Sequence, residues 1–172
     1  MTMTLPTPNL DTKTFWQYSV SRYALKDIAP LALLLQDNHK VNVNVLLLVC
    51  WCLENNVIIN LTQLNAVITA SGKWDEKLNA HRAKRKATHP NVGGDKQCYE
   101  ALKAQELDLE REQQAEMVAA FNQLNVTRLP TGAEGQPSQL FNASIAALIN
   151  AYELRENDEA RRLVSLLVHQ LA

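Results

Sequence analysis

The chain has 172 residues, 47% of them hydrophobic and 20% charged, with a formal net charge of −1. That supply of apolar side chains suits one substantial core and argues against a disordered chain, while a charge near zero exerts no general pull toward nucleic acid or acidic membranes. Only five glycines occur and strand-like alternation is almost absent. The expected fold is therefore all-α: a compact single-domain bundle of about seven helices around a central apolar one.

A Pro-containing stretch over residues 1–11 reads as a flexible N-terminal tail, and MTMTLPTPNLDTK lacks the basic-then-apolar order of a signal peptide. The helical domain spans 12–172. Asp11 or Thr12 caps a first helix through Ala24, with Phe15, Ser19, Arg22 and Tyr23 marking its spacing. Asp27 caps a second, with Pro30 in its first turn and an end at Gln36 to Asn38. Asn42 or Asn44 starts a third, apolar on every side from Val45 to Leu53, which belongs in the middle of the core. The apolar run from Val41 to Leu53 is too short for a membrane span, which needs about 20 such residues. Asn60 caps a fourth helix to about Ala70.

Ser71-Gly72 reads as a boundary, followed by a basic helix over Lys73–Thr88 that ends at His89-Pro90 and the loop NVGGDK. A long helix covers Cys98 to about Asn125. The segment RLPTGAEGQPS, with two Pro and two Gly in eleven residues, is expected to be a loop. Helices over about Gln139–Arg155 and Asp158–Leu171 close the chain, so that 12–125 forms a core and 138–172 a C-terminal helical hairpin.

Chemistry-bearing residues concentrate in the polar island Gln36, Asp37, Asn38, His39 and Lys40, between two apolar segments. Helix ends leave backbone groups unpaired, and side chains of Asp, Asn and Gln satisfy them. A buried corner thus accounts for Gln36, Asp37, Asn42 and Asn44, and is preferred to an Asp37–His39 general base because no nucleophile accompanies the pair. Cys50 and Cys52 point about 200° apart on a helix and cannot grip one metal. Together with Cys98 they make an odd number, and two of them lie in an apolar run, which suits a reducing cytoplasm. Zinc spacings, phosphate-binding loops and G-x-S-x-G are missing, so no catalytic residue, metal or cofactor is expected. The segment from Lys73 to Lys86 holds six Lys or Arg residues. The short loop after it makes the two flanking helices antiparallel, so Arg82 and Arg85 are expected to pair with Glu106 or Glu110, leaving Lys84 and Lys86 solvated. RNA or ribosome binding through 73–86 is the weaker reading.

Phe15, Trp16, Tyr18 and Ser19; Leu35, Gln36 and Asp37; Val43, Asn44, Leu46, Leu47 and Trp51; Arg82 and Arg85; and Glu106, Leu107 and Glu110 form an ordered set of short motifs. Over residues 14–125 the set resembles an uncharacterised family of small proteobacterial proteins, a domain of unknown function. That family usually carries a Gly after the corner, where this chain has His39-Lys40. The resemblance implies no activity. Two functions are left in contention. The first is a non-catalytic cytoplasmic adaptor or regulator that binds a protein partner, as a monomer or homo-oligomer, without membrane or nucleic acid. The second is an enzyme or small-ligand binder whose polar pocket comprises Trp16, Tyr18, Gln36, Asp37, Asn44 and Arg82.

Overall fold

The segment without a polar face becomes α3 (Val43–Glu54), buried without interruption from Asn44 to Cys52. In the computed structural model, residues 9–25, 27–129 and 136–171 are described, the side chains of 136–139 excepted. Around α3 stand α1 (Thr12–Tyr23), α2 (Ile28–His39), α4 (Leu61–Ala87), α6 (Gln136–Ala151) and α7 (Asp158–Leu171), each in contact with it. The remaining helix, α5 (Lys96–Asn122), reaches it where Phe121 meets Trp51 edge-on, ring centroids 5.8 Å apart. The fold among the described residues is the expected all-α bundle, with seven α-helices.

Two departures from the sequence reading concern which elements exist. Ser71-Gly72 is no boundary: α4 runs through it for 27 residues. A helical glycine costs about 1 kcal/mol relative to alanine, which packing of α4 along α5 outweighs, and Ser71 stays buried with its hydroxyl donating to the Ile68 carbonyl. A minimal ladder also forms, β1 (Val57–Ile58) antiparallel to β2 (Thr127–Arg128), with Val57 opposite Arg128. Buried Val57, Ile59 and Val126 draw the two connections side by side, so their backbone groups pair with each other.

α4 and α5 form an antiparallel hairpin of two 27-residue helices, each about 40 Å long. A short 3₁₀ turn, Pro90–Val92, joins them. Gly93 there has φ 84°, and a Cβ on Gly94 would lie 2.0 Å from the Thr88 carbonyl oxygen, so the reversal closes only on glycine. The far end of α5 ties down the start of the chain. Asn122 exchanges two hydrogen bonds with the backbone of Leu10, which is only 2% exposed although the sequence assigns it to the tail. Most of the tail, and residues 130–135 of the expected loop, lie outside the described residues. Gln136–Ser138 belong to α6, which begins three residues earlier than expected and ends at Ala151. The C-terminal pair packs into the common core, α7 against α2 and α6 against α4, with Leu148, Val164, Leu167 and Leu171 buried.

The polar corner is assembled differently from the sequence reading. Asp27 adopts φ 68° and makes no capping bond. Asp37 is exposed, satisfies no buried backbone group, and faces Lys86 at 3.6 Å. Lys40 ends α2 at φ 58°, a conformation open to glycine at no steric cost. His39 turns away from Asp37 toward the start of α7, with Nδ1 3.3 Å from the Asn157 amide and Nε2 3.8 Å from Glu159. The corner rests instead on Asn42, whose Oδ1 accepts from Val45 N at 3.1 Å while its Nδ2 donates to Asp75 at 2.7 Å. Asn42→Ala is therefore expected to lose about 1–2 kcal/mol of stability, and Asp37→Ala no more than about 0.5 kcal/mol, as read by urea unfolding. The reverse order would return the structural role to Asp37.

Candidate functional site

Four helices meet at the base of the hairpin, and their polar residues interlock beneath the surface. Gln113 and Gln114 precede Met117 and Phe121 by one and two turns and so sit on the buried stripe of α5. Gln113 Nε2 donates to the Ser71 carbonyl at 2.9 Å and to Asp75 Oδ1 at 2.8 Å. A backbone carbonyl only accepts, so the amide orientation of Gln113 is set. Its Oε1 must then face Asn44 Nδ2 (2.9 Å), which turns Asn44 Oδ1 toward Gln114 Nε2 (3.0 Å). The second hydrogen of that NH₂ goes to Ser19 Oγ at 3.0 Å. The relay ends there. Gln114 is 2% exposed, and its Oε1 is a buried acceptor with no donor among the described residues.

Above this relay lies a groove of about 550 Å³ between α1, the start of α3, and the inner parts of α4 and α5. Trp16, Val20, Tyr23, Leu47 and Leu107 supply apolar wall, and Asn44, Arg82, Glu110, Arg111 and Gln114 supply polar atoms. A second depression of about 440 Å³ adjoins it, and Trp16, Arg111 and Gln114 border both. The Arg111 guanidinium stacks over the Trp16 ring, 4.6 Å from its centroid.

Of the six residues that the sequence groups as a pocket, Trp16, Gln36, Asn44 and Arg82 border the groove. Tyr18 does not: its ring stacks with Phe15 and lies under Arg22, which is paired with Glu54, and burial raises its hydroxyl pKa. Asp37 is not there either. It borders a separate polar depression of about 430 Å³ with Lys40, Asp75 and Asn79. Sequence reasoning missed Gln113, Gln114 and Arg111. A signal for the two glutamines was present, because they continue the Met117–Phe121 stripe at helical spacing with amides in place of apolar side chains.

Arg82 holds Glu106 at 3.1 Å and Glu110 at 3.2 Å, and Arg85 holds Glu106 at 2.6 Å. His81 Nε2 donates to the Leu102 carbonyl at 2.7 Å, and Tyr99 packs between Arg85 and His89. These contacts make a polar seam where the hairpin extends beyond the apolar core. Burial raises the Glu110 carboxyl above its ordinary 4.5, outweighing the opposing pull of Arg82. Tyr23, in the same groove, is also raised, first by burial and then by the Glu110 charge. Cys50 is pushed up to about 12 by burial, which leaves it an unreactive thiol. Among the described residues no three His, Cys, Asp or Glu side chains cluster to hold a metal ion, and no helix is long and apolar enough to cross a membrane. On the basic helix, Lys77 folds over Trp74 and Lys84 is exposed.

A family described as "Protein of unknown function (DUF2390)" matches residues 14–117, which run from α1 to the Met117 turn of α5. No curated protein and no solved structure matches the chain.

Removing Arg82 leaves two carboxylates half-buried without their shared partner, so Arg82→Ala should lose about 2 kcal/mol. The loss should shrink in the Arg82→Ala/Glu106→Ala double variant, and simple additivity of the two changes would show that the pair is not coupled. The raised Glu110 carboxyl gives a pH signature. Folding takes up a proton there between pH 4.5 and the raised value, so stability contributed below that window is lost as pH rises through it. Relative to Glu110→Gln, the wild-type chain should weaken as pH climbs from 4.5. Parallel stability–pH curves for the two would mean that folding leaves the Glu110 carboxyl unshifted, burial and the pull of Arg82 cancelling.

Proposed function

The chain belongs to this family of unknown function, and from its own side chains we propose that it binds a small organic molecule in the groove bordered by Trp16, Asn44, Arg82 and Gln114. One observation carries the reading: the amide relay ends at Gln114, which borders that groove and whose buried Oε1 has no donor among the described residues. An unsatisfied buried acceptor costs roughly 1–3 kcal/mol, and a ligand that donates to it recovers that loss on binding. The surroundings fit such a role, with apolar walls and a few converging polar groups. Trp16 is half-buried and Arg111 exposed, so their stack can swing without disturbing the core.

The adaptor reading expected from the sequence ranks second. Large exposed apolar side chains are spread over α1, α2, α4, α5, α7 and two connections rather than gathered on one face. Catalysis has less support than binding, because the described residues that border the groove include no cysteine or histidine. The setting we propose is a bacterial cytoplasm, supported by the motif likeness to proteobacterial proteins and by the unpaired buried thiols Cys50 and Cys52.

Screening a fragment collection by NMR on the full chain tests this. Ligands should shift the Trp16 indole N–H and the Gln114 carboxamide signals together, and Gln114→Met should weaken them while the fold persists. If no fragment perturbs Trp16 at millimolar concentration, or hits scatter over the surface with no effect of Gln114→Met, the groove is not a ligand site.

A further inference from the structure

The charges and the apolar rim of the groove narrow what it accepts, on the premise that it is a ligand site at all. We infer that the ligand is a small organic acid: a carboxylate that engages Arg111, an apolar body, and an O–H or N–H group that donates to Gln114.

Each part follows from a separate feature. Arg82 and Glu110, the other two charged residues of the groove, neutralise each other at 3.2 Å. A cation brought to Glu110 would lie against Arg82, and an anion brought to Arg82 would lie against Glu110. Arg111 differs. It has no carboxylate partner among the described residues and is held only by the face of Trp16. Stacking fixes the plane of a guanidinium while leaving its N–H fork free to receive a carboxylate through two parallel bonds. Arg111 thus supplies the uncompensated charge of the groove, and that charge is positive.

The donor requirement comes from the relay. The Ser71 carbonyl cannot donate, so no rotation of Gln113, Asn44 and Gln114 keeps every bond and turns Gln114 Nε2 toward the groove. The unpaired atom of the relay is therefore an acceptor, buried behind the groove wall, and a ligand that reaches it as the Trp16–Arg111 stack gives way needs an O–H or N–H. Arg111 and Gln114 are three apart on α5, on one face with Cβ atoms about 5–6 Å from each other. The carboxylate and the donor group consequently belong to one small molecule. Its apolar body is called for by Val20 and Leu107, which are 52% and 51% exposed although both border the groove. Covering them returns the favourable free energy of apolar burial.

Four matched probes with one shared ring test the inference on the intact chain: 4-hydroxyphenylacetate, phenylacetate, methyl 4-hydroxyphenylacetate and tyramine. Affinities are read from the Trp16 indole N–H shift. 4-Hydroxyphenylacetate should bind tightest. Loss of the hydroxyl should weaken binding about fivefold, and loss or reversal of the charge about tenfold or more. Arg111→Gln should abolish the advantage of the acids while leaving the ester unchanged. Tyramine or the ester binding as well as the acids, or Arg111→Gln leaving the order intact, overturns the inference. Should none of the four bind while other fragments still shift Trp16 and Gln114, the ligand class is wrong and the groove stands. Silence from both sets removes the groove itself.

Discussion

A helix with no polar face must be enclosed on all sides, and α3 imposes that requirement on the whole chain. Nine consecutive buried residues, Asn44 to Cys52, leave no side for water, so the other six helices arrange themselves around it. The requirement carries a complication at its first turn, because Asn44 is buried with the rest. An amide in that position must find partners or cost the core heavily. Gln113 and Gln114 of α5 provide them, which sets the rotation of α5 about its own axis and its height along α3. Ser71 and Asp75 of α4 then complete the bonds of Gln113. A single buried asparagine thereby specifies how three helices meet, a use of polarity that apolar packing alone cannot supply.

Charge takes over where the core stops. Beyond Leu78 the α4–α5 hairpin has no buried apolar residue until Met117 on the returning helix, and the distal seam is built from Arg82, Arg85, Glu106, Glu110 and Tyr99. The groove lies at the junction of the two regimes. There the amide relay from the core, the ion pairs of the hairpin and the aromatic residues of α1 come within reach of one another, which explains why polar and apolar groups converge at this place. The matched family span ends at residue 117 and includes every residue that borders the groove. The enclosing helices α6 and α7 lie outside it.

Helices were legible wherever a periodic stripe or a cap residue stood out. The apolar circumference of α3, the Asn60 cap of α4 and the arginine–glutamate pairing across the hairpin all follow from spacing and charge along the chain. The errors share one cause, which is that local propensity was read without its packing partner. Gly72 signals a stop by itself, but α5 lies along that stretch and holds the helix together. Asp37 resembles a capping or catalytic carboxylate in sequence, yet the final turn of α2 directs it to solvent, and Asn42 does the capping.

Asn44 and Arg82, which border the groove, were legible as candidates because a polar residue in an apolar run, or a cation opposite glutamates, is conspicuous in one dimension. Gln114 was not, because its importance lies in a bond it lacks. The chain by itself determined that the fold is helical, which helix is central and which charges pair across the hairpin, since those depend on neighbours a few residues apart or on a short turn. It did not determine every helix boundary. Only the tertiary structure decided that amides from α3 and α5 meet over a carbonyl of α4, and that the relay ends at a groove-bordering Gln114 whose buried Oε1 has no donor among the described residues. Hydrogen-bond direction is set by contacts spanning 42 to 70 residues of sequence, and no local pattern encodes it.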